Sequence, residues 1–180
     1  MSRIAPLAPP YDAATQAQFD RIMPPGASPL MLFRTLAKHE RAWQRFRAGS
    51  LLDRGPLSLR HRELVIDRTC ALTGCEYEWG VHVAAFAERV GLDDAQVRAL
   101  AGGPADDPIW SPAEQVLLAA VDALHHRATW DDAEWNALRA HFEEAQVLEI
   151  LLLAGFYRTV SYLASGLALP LEPGATRFEG

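Results

Sequence analysis

Apolar residues recur at three- and four-residue intervals along nearly the whole chain, and nowhere do apolar and polar positions alternate, so the pattern predicts an all-α fold. Prolines, glycines and small polar residues set the expected boundaries. A first helix should begin near Asp12 and stop before Pro24-Pro25. Ser28 then reads as the cap of a segment with Pro29 at its first helical position, running through Leu36 and Trp43 to a stop at Gly49. Beyond the Gly55-Pro56 linker a central helix is expected over about 59–73; Gly74 interrupts it, and a second runs over about 75–90 before Gly91. A short helix near 93–100 follows. Ser111-Pro112-Ala113-Glu114 forms a capping box with proline at the first helical position, opening a helix to about His126. Two further helices are expected over about 131–142 and 143–165, the last closing at Gly166. The tail from Leu167 on, with Pro170 and Pro173, reads as an extended apolar arm of a kind often satisfied only by a neighbouring subunit.

With 180 residues, 49% of them hydrophobic, the chain can bury a substantial core, and its length predicts a single domain: an N-terminal helix and proline-rich segment (1–27), a helical core (28–166) and the arm (167–180). The net charge of -6, with no run of lysines or arginines, speaks against a nucleic-acid partner. The first ten residues hold no continuous apolar stretch, so neither a leader nor a membrane span is expected there and the cytoplasm is the expected compartment. Of the two cysteines, Cys70 and Cys75, no structural disulfide is expected, because five residues across a helix break is poor spacing for a bridge.

The pointed chemistry lies in Glu63 and the run 75–82. At about 100° per residue, Cys75, His82 and Phe86 share a narrow arc, with Trp79 on one side and Glu78 and Arg89 on the other. Glu63 interrupts an apolar stripe of Leu59, Ile66 and Cys70, so its carboxylate needs a partner; His82 and Arg89 are the candidates once the break at Gly74 folds the two helices together. In the first turn of its helix Cys75 is expected to have a lowered pKa. Glu76 reads as the capping partner of Thr73, and Glu78 reads equally as a site carboxylate or a first-turn acid. Tyr157 and Glu149, on the long C-terminal helix, are placed to support the site if that helix covers it. No HExxH or paired-cysteine spacing points to a metal, and no cofactor is expected.

Glu63, eleven residues, Cys75, two residues, Glu78, three residues and His82 resemble the motif of the AhpD-like, or carboxymuconolactone decarboxylase, family, which has a second cysteine where this chain has Glu78. The Glu63-Leu64-Val65-Ile66, Tyr77-Glu78-Trp79, Gly91-Leu92, Val121-Asp122-Ala123-Leu124 and Gly155-Phe156-Tyr157 segments extend the likeness. The resemblance implies a helical bundle of seven to eight helices around a central hairpin, assembled as a homo-oligomer (dimer, trimer or hexamer), acting on a small molecule. It leaves three readings open. In the first, Glu78 and His82 act as base and acid, with Glu63 orienting the imidazole, in lyase chemistry on a carboxylated or lactone-like substrate held by Arg89, Trp79 and Tyr157. In the second, Cys75 alone is the nucleophile of a thiol peroxidase. The third is a ligand-binding helical oligomer without catalysis.

Overall fold

A computed structural model describes residues 2–178, and among these all regular structure is helical: α1 (Ala13–Ile22), α2 (Met31–Leu36), α3 (Glu40–Ala48), α4 (Leu59–Leu72), α5 (Glu76–Phe86), α6 (Asp94–Gly102), α7 (Pro112–Arg127), α8 (Asp132–Arg139) and α9 (Glu144–Gly166), with a single 3-10 turn at Glu88–Val90. The expected all-α architecture holds, in more and shorter pieces. Local capping starts most of these helices: Asp12 accepts from Thr15 N–H at 2.9 Å and Ser58 from His61 N–H at 3.1 Å, while reciprocal boxes open α6 (Asp93 with Gln96), α7 (Ser111 with Glu114) and α8 (Asp131 with Glu134).

Helix α4 is the axis. Eight consecutive residues from Glu63 to Cys70 are buried, because α5, α6, α7 and α9 all pack around it. Arg68 of α4 fixes α7 with a bidentate pair to Asp122 (2.6 and 2.7 Å) and donates to the Leu100 and Gly103 carbonyls at the end of α6. Helix α9 is long and apolar enough to cross a membrane by length and composition, yet it packs along α4 and contributes Val147, Ile150, Leu153, Tyr157 and Val160 to the interior, as a core helix does.

The hairpin joining α4 to α5 closes through a Schellman turn. Gly74 takes φ +66°, its N–H donates to Ala71 O, and Cys75 N–H donates back to Cys70 O, both at 2.9 Å. Only a residue without a Cβ adopts that backbone freely. Cys75 consequently stands at the N-cap of α5, one position before the first turn where it was expected.

Several expectations are revised. The helix expected from Ser28 to Gly49 divides into α2 and α3 at residues 37–39, which lets Leu32, Leu36 and Trp43 all enter the core with Phe19. Ser28 does not cap it: the first N–H of α2, on Met31, donates to the Glu172 carboxylate of the C-terminal arm, a tertiary cap in place of a local one. Thr73 and Glu76 form no capping box. The Thr73 hydroxyl bonds Thr69 O, Cys70 O and Ser161, while Glu76 accepts from Phe178 N–H at 3.0 Å. Gly166 stays helical, and the reversal falls on Ala168 at φ 51°.

The arm folds onto its own chain. Thr176 N–H donates to Gly80 O at 3.3 Å, Phe178 lies 4.8 Å from Trp79 ring to ring, and Tyr77 donates to Glu172 at 2.5 Å while accepting from Leu32 N–H at 3.1 Å. The outer face of α5 is therefore roofed by residues 172–178, and a Cβ at Gly80 would stand 2.2 Å from Thr176 O. Gly80→Ala is expected to lower stability by about 1–3 kcal/mol and to release the arm; thermal denaturation with limited proteolysis at Arg177 checks both.

Candidate active site

Opposite the arm, the inner face of α5 meets α4 and α9. His82 Nδ1 lies 2.7 Å from Glu63 Oε2, with both residues buried. The ring's other nitrogen, Nε2, faces two oxygens, Tyr157 Oη at 3.1 Å and Glu78 Oε1 at 3.5 Å. Phe86 stacks on the ring at 5.5 Å and Tyr157 meets it edge-on at 5.1 Å. The expected contact between the acid of one hairpin arm and the imidazole of the other is thus formed, and Tyr157, from α9, completes it.

Burial works against a charged imidazole here, but hydrogen bonds to Glu63 and Glu78 and the charges of the same carboxylates outweigh it, so the His82 pKa is pushed up to about 10. As an imidazolium it donates through Nδ1 to Glu63 and presents its Nε2–H to Tyr157 and Glu78. Glu78 is buried and its Oε2 has no hydrogen-bond partner. A buried, unpartnered carboxylate oxygen beside a proton donor is costly as mere structure and useful as chemistry.

Sequence reasoning missed two contributors. Arg62 donates through Nε to Glu63 Oε1 at 3.2 Å and through Nη1 to Leu52 O at 2.9 Å, pinning the loop before α4, with its guanidinium over the Phe86 ring at 5.9 Å. Being next to Glu63 in sequence, it falls on a different helical arc, and only the bend of its long side chain brings it in. Asp67, one turn after Glu63, is buried with Oδ1 unpartnered; its four-residue spacing from Glu63 was the available signal.

Of the other candidates, Arg89, Trp79 and Glu149 engage other partners, while Cys75 stands beside Glu78. Arg89 is exposed and sits over the Phe86 ring at 5.4 Å, with Phe86 in turn stacked on His82. Trp79 packs beneath the arm against Phe178. Glu149 accepts from Leu57 N–H at 3.1 Å and anchors the 55–57 loop. Cys75 is buried, and burial pushes its thiol up, outweighing the Glu78 N–H and the Ser161 and Ser165 hydroxyls that favour the thiolate; the expected lowering does not occur. Both cysteines are free, and the Cys70 thiol is also pushed up by burial. Yet the Schellman hydrogen bond holds their Cα atoms within about 7 Å of each other, since a carbonyl and an amide of standard dimensions span no more. The five-residue separation is therefore not the obstacle to bridging that the spacing implied.

The helical hairpin encloses a buried Glu–His–Glu cluster, and its fold has known relatives. Residues 37–123 match the sequence profile of the carboxymuconolactone decarboxylase family. A peroxidase-related protein of Silicibacter sp. TM1040 superposes with a TM-score of 0.84 at 20% identity, covering 99% of this chain and 96% of that one. An AhpD-core, peroxidase-related protein of Ralstonia eutropha JMP134 gives 0.79 at 18% identity (94% and 93% covered), and the debrominase Bmp8, in complex with 2,3,4-tribromopyrrole, gives 0.78 at 14% (97% and 94%). At such identities these likenesses are of fold. No curated protein matches the chain significantly. The fold is thus AhpD-like, and residues 37–123 carry the likeness to the carboxymuconolactone decarboxylase family.

The raised His82 pKa fixes a sign for stability. A cation favoured in the folded state stabilises fully below its unfolded pKa of about 6.5, and this contribution is lost as pH rises towards about 10. His82→Gln is expected to flatten the decline of unfolding free energy over that window, as measured by urea denaturation from pH 6 to pH 10.

Proposed function

We propose that the protein is a carboxymuconolactone decarboxylase-like enzyme performing acid–base chemistry on a small carboxylated or lactone-like substrate. The observation that carries this reading is the unpartnered Glu78 Oε2 beside a doubly hydrogen-bonded His82. Loss of carbon dioxide leaves an electron pair on carbon that must be protonated. His82 Nε2–H is the acid that protonates it, Glu63 keeps the ring oriented and charged, and Glu78, with Tyr157, orders the substrate's polar atoms at the same nitrogen. The replacement of a thiol by Glu78 fits proton transfer better than a dithiol cycle within the motif. The apolar side chains Leu148, Leu152 and Tyr162, exposed by 58–63% along α9, support assembly as a homo-oligomer.

A second reading, thiol peroxidase chemistry at Cys75, draws support from the Schellman turn that sets Cys70 beside it, and is opposed by the burial that keeps both thiols protonated. One pair of variants separates the two. Assayed on small carboxylated lactones, Glu78→Gln is expected to lower kcat/KM by on the order of 10²–10⁴-fold, while Cys75→Ser leaves turnover little changed. Hydroperoxide consumption that disappears with Cys75→Ser, without lactone turnover in the wild-type protein, overturns the acid–base reading.

A further inference from the structure

Asp67 is the one carboxyl at the centre of the molecule that the chemistry above does not use. It is 1% exposed, its Oδ1 has no partner, and its carboxyl lies with Glu63 and His82 in a group whose ligand-type atoms are all within 4.8 Å of one another. The charged groups acting on it are Glu63 on its own helix and Glu78 and His82 on α5; from α9, Tyr157 meets the His82 ring, and on α7 Asp122 is taken up by Arg68. Three carboxyls thus share a buried interior with one imidazolium and the partly buried Arg62 guanidinium. If all three were ionised, one negative charge would lack a counterion, and an uncompensated buried charge is not tolerated at that cost. Either a proton or a metal cation has to balance it.

The distances favour the proton. Bonds of about 2.1 Å in a tetrahedral site would spread neighbouring ligand atoms to ~3.4 Å, whereas His82 Nδ1 and Glu63 Oε2 stand 2.7 Å apart, a hydrogen-bond length. We propose that Asp67 is a neutral carboxylic acid and the proton store of this site, recharging the Glu63–His82 pair after His82 has protonated the substrate. Burial is the main force holding the Asp67 pKa well above the ordinary carboxyl value; His82 opposes it, and Glu63 and Glu78 add to it. The function as a store rests on the acid–base reading above. In each cycle His82 Nε2 gives its proton to the carbon that has lost carbon dioxide. The Asp67 carboxylic acid then gives its proton through one water to Nε2, the nitrogen that lost one, and the resulting carboxylate is reprotonated from solvent, so charge and protons balance over the turnover.

Asp67→Asn keeps the shape and removes the titrating proton. Infrared spectra of the wild-type protein at pH 7 are expected to show a buried carboxylic-acid C=O band that the variant lacks, a readout independent of any substrate. A folded-state pKa above the unfolded one also means that wild-type stability falls as pH rises from about 4 upwards, and the variant should lose that part of the fall. With a lactone substrate the variant is expected to keep KM, lose about tenfold in kcat, less than direct proton donors supply, and shift the alkaline limb of its pH profile. Absence of the band in the wild-type protein, its persistence in the variant, or stoichiometric Zn²⁺ or Mn²⁺ binding that Asp67→Asn abolishes would overturn the proposal. Should the variant fail to fold, the wild-type band alone decides, assigned by ¹³C-carboxyl labelling of aspartate. A band present in a protein that turns over no lactone sinks the acid–base reading and the role as a store with it, while leaving the buried proton of Asp67 established.

Discussion

A glutamate with no solvent exposure can exist inside a protein only if something answers its charge, and here the answer is His82, 2.7 Å away on the next helix. Much else is arranged around this pair. Arg62 binds the second oxygen of Glu63 and ties the preceding loop to it, Tyr157 brings α9 onto the far nitrogen of the ring, and Phe86 covers the ring's face. Removing either member would strand the other in a low-dielectric interior, so the site and the centre of the fold are one construction.

The hairpin turn makes the pair possible. Because Gly74 adopts a left-handed backbone, α5 folds back along α4 with its inner face carrying Glu78, His82 and Phe86 and its outer face carrying Tyr77 and Gly80. That outer face is sealed by the C-terminal arm, through Glu172, Thr176 and Phe178. One helix therefore carries the buried Glu78–His82 cluster on one side and lies under a structural strap on the other. The same burial that raises the proton affinity of Asp67 raises that of the Cys75 and Cys70 thiols.

What the sequence carried openly was what periodicity and spacing encode. The convergence of Glu63, Glu78 and His82 followed from helical arcs and one glycine, and the capping box at Ser111 followed from local chemistry alone. Where partners come from distant segments, the local signal misled. Ser28 and Pro29 look like a helix start, but Glu172, some 140 residues on, supplies the cap to Met31; Glu76 looks like the partner of Thr73, but it holds Phe178. Helix α4 hid its own contents for a different reason. Residues 63–70 are buried on every side, so a wheel could not say which neighbours Asp67 would meet, although its spacing from Glu63 put the two acids one turn apart. Arg89 was a candidate because it lies beside the arc of His82, yet the cation that reaches Glu63 is Arg62, its own neighbour in sequence.

The proton chemistry proposed for the site requires the imidazole to be charged in its buried setting. Nitrogen-15 NMR of the His82 ring at pH 8 tests this most directly. Both ring nitrogens should carry protons there, with the Nδ1 proton displaced far downfield by its bond to Glu63. A neutral ring at that pH, titrating near the value of a free histidine, would contradict the charged pair at the centre of the molecule and the proton chemistry drawn from it.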